Sequence, residues 1–123
     1  MKVMVFVQMD PKDETGAMPS EELLAAMGAY NEELVKAGIM LDAAGLKPTT
    51  EGTRVAFQGG TTSVVDGPFT ESKEIVVGYW VWEVGSLEEA VEWARRCPSD
   101  PNLGLREELE IRPLYTEEDF AQL

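Results

Sequence analysis

"IVVGYWVWEV", residues 75–84, is the stretch on which the reading of this chain turns. Its β-branched and aromatic residues predict a strand. Ile75, Val77, Tyr79 and Val81 would face one way; Val76, Trp80, Trp82 and Val84 would face the other. Both faces are apolar, so both need cover. "KVMVFVQM", residues 2–9, has the same two-sided character, with Val3, Val5 and Val7 alternating with Met4, Phe6 and Gln8. The fold must therefore supply cover for two strands on two sides.

The rest of the chain limits that supply. A loop over 10–19 leads to Ser20, which reads as an N-cap, with Glu21 and Glu22 favourable in the first turn. The helix runs to about Lys36, with Leu23, Met27, Tyr30 and Leu34 on one stripe, and Gly38 ends it. Ile39, Leu41 and Leu46 suggest a short strand interrupted by Gly45. Strands at Thr53–Gln58 and Thr62–Val65 flank Gly59-Gly60, a hairpin signal. Ser86-Leu87-Glu88-Glu89 matches a capping box and opens a second helix, with Leu87, Ala90, Val91 and Ala94 on one face. Pro98 stops it, and a loop over 98–106 leads to a last strand, Glu107 to Pro113. The acidic tail, 116–123, suits a short helix. Without the hairpin the order is β-α-β-β-α-β. That is an α+β, ferredoxin-like pattern: an antiparallel sheet with two helices on one face. No third long helix remains for the other face. A second copy of the sheet would cover it, which predicts a homodimer. Residues 1–123 read as a single domain.

Charge removes several functions. Ten basic against 23 acidic residues give 10 − 23 = −13. No basic patch is available for nucleic acid or for an anionic membrane surface. The apolar run Val3–Val7 is too short for a signal-peptide core or a membrane span. A cytoplasmic protein is expected, in keeping with the single cysteine, Cys97. Histidine is absent. That excludes His general bases and Ser–His pairs, and leaves acid–base work to Asp, Glu, Lys, Tyr or Cys97. The loop from Asp10 fails as an EF-hand, and no phosphate-binding loop or dinucleotide fingerprint is present. No metal and no cofactor are expected.

"VVDGPFTESKE", residues 64–74, is the candidate site. An aspartate in a turn usually bonds the backbone two residues on, but residue 68 is proline and has no N–H. Asp66 must therefore reach elsewhere: to the amides of Phe69–Glu71, to Lys73, Arg54 or Arg112, or to a ligand. It is either a hydrogen-bonded loop anchor or a catalytic carboxylate, with Lys73 as its candidate acid–base partner. Tyr30, Asn31, Phe69, Trp80 and Arg112 are candidate ligand contacts. Each also has a structural reading as a core, loop or surface group. Cys97, with no histidine to activate it, reads as a small buried residue.

Asp66-Gly67-Pro68-Phe69, with Glu71, Lys73-Glu74 and Gly78-Tyr79-Trp80, resembles the DGPF branch of the YCII-related family. Tyr30-Asn31-Glu32-Glu33-Leu34, Ala37-Gly38, Gly45-Leu46, Ser86 to Ala90 and Arg112-Pro113 extend the resemblance over nearly the whole chain. It implies a dimeric α+β barrel of two ferredoxin-like protomers. With the residues above, this resemblance leads to the expectation of a pocket between each protomer's sheet and helix, with the Asp66 loop at its mouth, that binds a small, mostly apolar molecule and supports proton transfer or elimination with Asp66 as base. The alternative it implies is a non-catalytic accessory or regulatory dimerisation domain, linked to sigma-factor-dependent transcription. The His–Asp pair proposed for catalysis in the wider family has no counterpart here, because the histidine is missing.

Overall fold

The computed structural model describes residues 1–14, 19–99 and 107–123. The parts of the expected loops at 15–18 and 100–106 lie outside the described residues. Strands β1 (Lys2–Met9), β2 (Met40–Gly45), β5 (Ile75–Glu83) and β6 (Glu107–Pro113) form one antiparallel sheet in the order β2-β5-β1-β6. That is the ferredoxin-like order. Helices α1 (Glu21–Lys36) and α2 (Leu87–Arg95) supply the cover, and a short α3 (Glu117–Ala121) closes the chain. Strands β3 (Thr53–Gln58) and β4 (Thr61–Asp66) form a separate hairpin, turned at Gly59 and Gly60, both at positive φ.

Local signals act largely as the residues suggest. The Ser20 hydroxyl accepts from the Leu23 N–H, and Gly38, at φ 73°, ends α1. Ser86 caps α2 through the Glu89 N–H, but the box is only half formed: Glu89 Oε2 accepts from the Gly85 N–H instead of from Ser86. The complete capping box is at Thr116–Asp119, where α3 begins.

Pairing register divides the residues between faces. Val3 lies opposite Trp82, and Val5 lies opposite Trp80 and Ile111. Val3, Val5, Trp80 and Trp82 pack with Tyr30 and Leu34 of α1 and Ala90 of α2 in the buried core. Two sequence expectations are corrected. Between Val7 and Gln8 the β1–β5 register shifts, so Val77 is the extra residue of a bulge. Strict alternation fails there: Ile75 pairs with Met9, shares the face of Val7, and is buried. Helix α2 is also rotated from the expected face. Leu87 and Val91 are 41% and 37% exposed, while Ala90, Trp93, Ala94 and Cys97 meet the core at helical spacing.

The opposite face carries Met4 and Phe6 beside Val81 and Tyr79. All four are only half-buried. Arg112 lies opposite Met4 and Glu110 opposite Phe6, so this face is an apolar centre with a charged edge. No helix among the described residues is long and apolar enough to cross a membrane.

Candidate functional site

Helix α1 crosses the sheet above the β2–β5 edge and leaves a cleft of about 330 Å³. Met27 and Asn31 line it from the helix, Ala43–Gly45 from β2, Gly78–Trp80 from β5, and Val7 from β1. Small residues make the space. A Cβ at Gly78 would stand 3.1 Å from the Ala44 carbonyl oxygen and 3.9 Å from Val7 Cγ2. The lining is mainly apolar, with Asn31 as its polar anchor. Asn31 Oδ1 accepts from Trp80 Nε1 at 2.9 Å. An indole N–H can only donate, so this bond fixes which way the amide points. The Asn31 NH₂ is left without an acceptor among the described residues, at the wall of the cleft.

Tyr30, one residue away, has a different task. It is buried, and its hydroxyl donates to the Trp93 carbonyl at 2.7 Å, tying α1 to α2. Burial, reinforced by Cys97, pushes this hydroxyl well above the usual phenol range. Its ring meets Trp80 edge-on, with centroids 6.0 Å apart. Cys97 is pushed up to about 11 by burial and then by Glu107. Thiolate is scarce near neutral pH, as suits a packing residue.

The structure does not gather the remaining candidates around the cleft. Asp66 ends β4, is exposed, and accepts from the Thr53 hydroxyl across the hairpin at 3.1 Å. Arg54 is out of its reach for a simple reason: it neighbours Thr53, so it points to the other face of the hairpin. Among the described residues Lys73 forms no ion pair, and it borders a minor recess with Gln8, Asp10 and Glu108. Arg112 is on the open face of the sheet. Phe69 belongs to the loop after β4, where the Arg54 guanidinium stacks on its ring at 3.8 Å.

That loop is held by backbone approach. The Gly67 N–H donates to the Gly52 carbonyl at 2.9 Å, and the Gly67–Pro68 peptide is cis. Glu14 accepts from both the Thr49 N–H and, at 2.6 Å, the Thr49 hydroxyl, which braces the segment under the loop. Sequence reasoning found Asn31 and Trp80 but missed the cleft's floor. The available signal was Ala43-Ala44-Gly45 facing Gly78 in adjacent strands.

A ferredoxin-like α+β sheet with helices on one face and a mainly apolar cleft at its edge defines the class of this protein. The sequence matches the model of the YCII-related domain over residues 1–115. The chain belongs to the YCII-related family. It is 35% identical over 95 residues to an uncharacterised protein of Rhizobium meliloti (strain 1021), covering 76% of this chain and 74% of that protein.

Proposed function

We propose that the protein binds a small, neutral, mostly apolar molecule in the cleft beneath α1, with one hydrogen-bond acceptor placed on Asn31. The observation that carries this reading is the Trp80–Asn31 bond, which orients an unbonded amide NH₂ in a mainly apolar wall. The volume is at the lower end of the range for small-molecule sites, about 300–1,000 Å³. Among the described residues no Asp, Glu, Lys, Arg or Cys lines the cleft, and the Tyr79 hydroxyl donates to Asp42 at 3.3 Å, which favours binding over acid–base chemistry there and a neutral ligand over a charged one. Asp66 and Lys73 stand apart from it, so proton transfer by Asp66 is no part of this reading.

Acetophenone is a suitable probe, with a carbonyl acceptor on an apolar body, and ethylbenzene is its analogue without the acceptor. Acetophenone should shift the Asn31 side-chain and Gly78 amide resonances saturably. Asn31→Ala should weaken acetophenone by roughly fivefold to tenfold, the worth of one neutral hydrogen bond, and leave ethylbenzene nearly unchanged. Absence of a saturable shift at Asn31 and Gly78 with either compound rejects the cleft as the site.

We propose also that two copies pair through the open sheet face. The half-buried row of Met4, Phe6, Tyr79 and Val81 supports this, since a sheet face of that composition is normally covered. Light scattering at micromolar concentration should give twice the 13.6 kDa chain mass, and Phe6→Glu should reduce it to the chain mass. A wild-type mass of one chain contradicts the pairing.

A further inference from the structure

A second concavity, separate from the cleft under α1, is built from the hairpin and the loop that follows it. It measures about 200 Å³ and is lined by Arg54, Val65, Pro68, Phe69 and the loop residues 70–72. Its cation is unusual for so acidic a chain. Among the described residues no carboxylate forms an ion pair with Arg54. The nearest acid of the hairpin, Asp66, points to the other face. Yet Arg54 is held rather than left to wander: its guanidinium lies 3.8 Å from the Phe69 ring centroid, and Nη2 donates to the Ser72 hydroxyl at 3.1 Å. A guanidinium fixed by stacking and one hydrogen bond has already lost much of its rotamer freedom, and its other N–H groups remain in a fork that fits a carboxylate. Val65, Pro68 and Phe69 offer an apolar floor beside it.

We infer that this concavity is a binding site for a small organic monocarboxylate, with the carboxylate on Arg54 and the apolar body against Phe69 and Pro68. Glu71, also in the lining, disfavours a second negative charge on the ligand. The site is independent of the proposed cleft, which takes a neutral molecule.

Benzoate titrated into the full chain at low salt, followed by amide NMR, tests the assignment. Saturable shifts are expected at Thr70 and Ser72 and not at Asn31 or Gly78. Arg54→Gln should weaken benzoate at least tenfold, the loss of a charge-assisted bond. Arg54 is exposed, so that variant should keep the wild-type spectrum of the four-stranded sheet. Phe69→Leu, which keeps the charge but removes the stacking surface, should weaken benzoate by a smaller factor. Benzyl alcohol, of similar shape but neutral, should give no saturable shift. Benzoate binding that survives Arg54→Gln unchanged, benzyl alcohol binding as well as benzoate, or no saturable shift at Thr70 and Ser72 overturns the inference.

Discussion

Trp82→Ala should lower the unfolding free energy by about 3–5 kcal/mol, the range for deleting a large aromatic side chain from a core. Trp82 is 0% exposed and is the largest fully buried side chain. It sits on β5 between Val3 of β1 and Met40 of β2, with Trp80 5.8 Å away along the same face. Neither neighbouring strand can collapse into the hole without giving up ladder hydrogen bonds, so the cavity would persist. Total stabilities of about 5–15 kcal/mol make this a large share. Trp82→Phe should cost much less. Trp82 Nε1 is buried with no acceptor among the described residues, and the phenyl ring removes that unpaired donor while keeping most of the packing. Urea denaturation followed by circular dichroism checks both variants. Equal losses would mean that the indole N–H is satisfied in solution.

Gly67→Ala should detach the loop after β4. A Cβ at this position would lie 1.6 Å from the Thr49 carbonyl oxygen and 2.6 Å from its carbon. Both are backbone atoms, so no side-chain rotation relieves the clash. The loop must move, and the Gly67–Gly52 hydrogen bond goes with it. The expected cost is about 1–3 kcal/mol or somewhat more, as for an overpacked site. The damage should also be local. Hydrogen exchange at the Gly67 amide should quicken at least tenfold while Val5 and Trp80 in the central strands stay protected. Unchanged exchange at Gly67 would show that the close approach to Thr49 is not kept in solution.

These two positions differ in how far the residues announce them. Trp82 is legible as core, because it lies on a long apolar strand. Gly67 is legible only in part. Its place before Pro68 marks a turn, but the clash partner, Thr49, is far away in sequence and comes close only because the segment between β2 and β3 folds under the loop. Asn31 was a candidate contact by type and position. The bond that aims its amide depends on α1 crossing β5 at Trp80, which no local pattern states. The rotation of α2 was missed for a similar reason. Leu87 and Val91 are the more hydrophobic choices on paper, but Tyr30 reaches the Trp93 carbonyl and Trp93 itself joins the core.

By itself the sequence determined the element order, the helix ends at Ser20, Gly38 and Ser86, the hairpin at Gly59-Gly60 and the ferredoxin-like architecture. Those features follow from short-range rules: side-chain periodicity, capping and backbone freedom. Only the tertiary structure decided what Asp66 meets. Proline denies it the usual local bond, as the residues indicate. Its partner is then chosen by strand register, which puts the Thr53 hydroxyl opposite it and turns Arg54 to the other face. The cleft under α1 and the stacked arginine beside Phe69 are likewise products of register and packing. They bring together residues from separate strands, helices and loops, and no single stretch of chain specifies such a meeting.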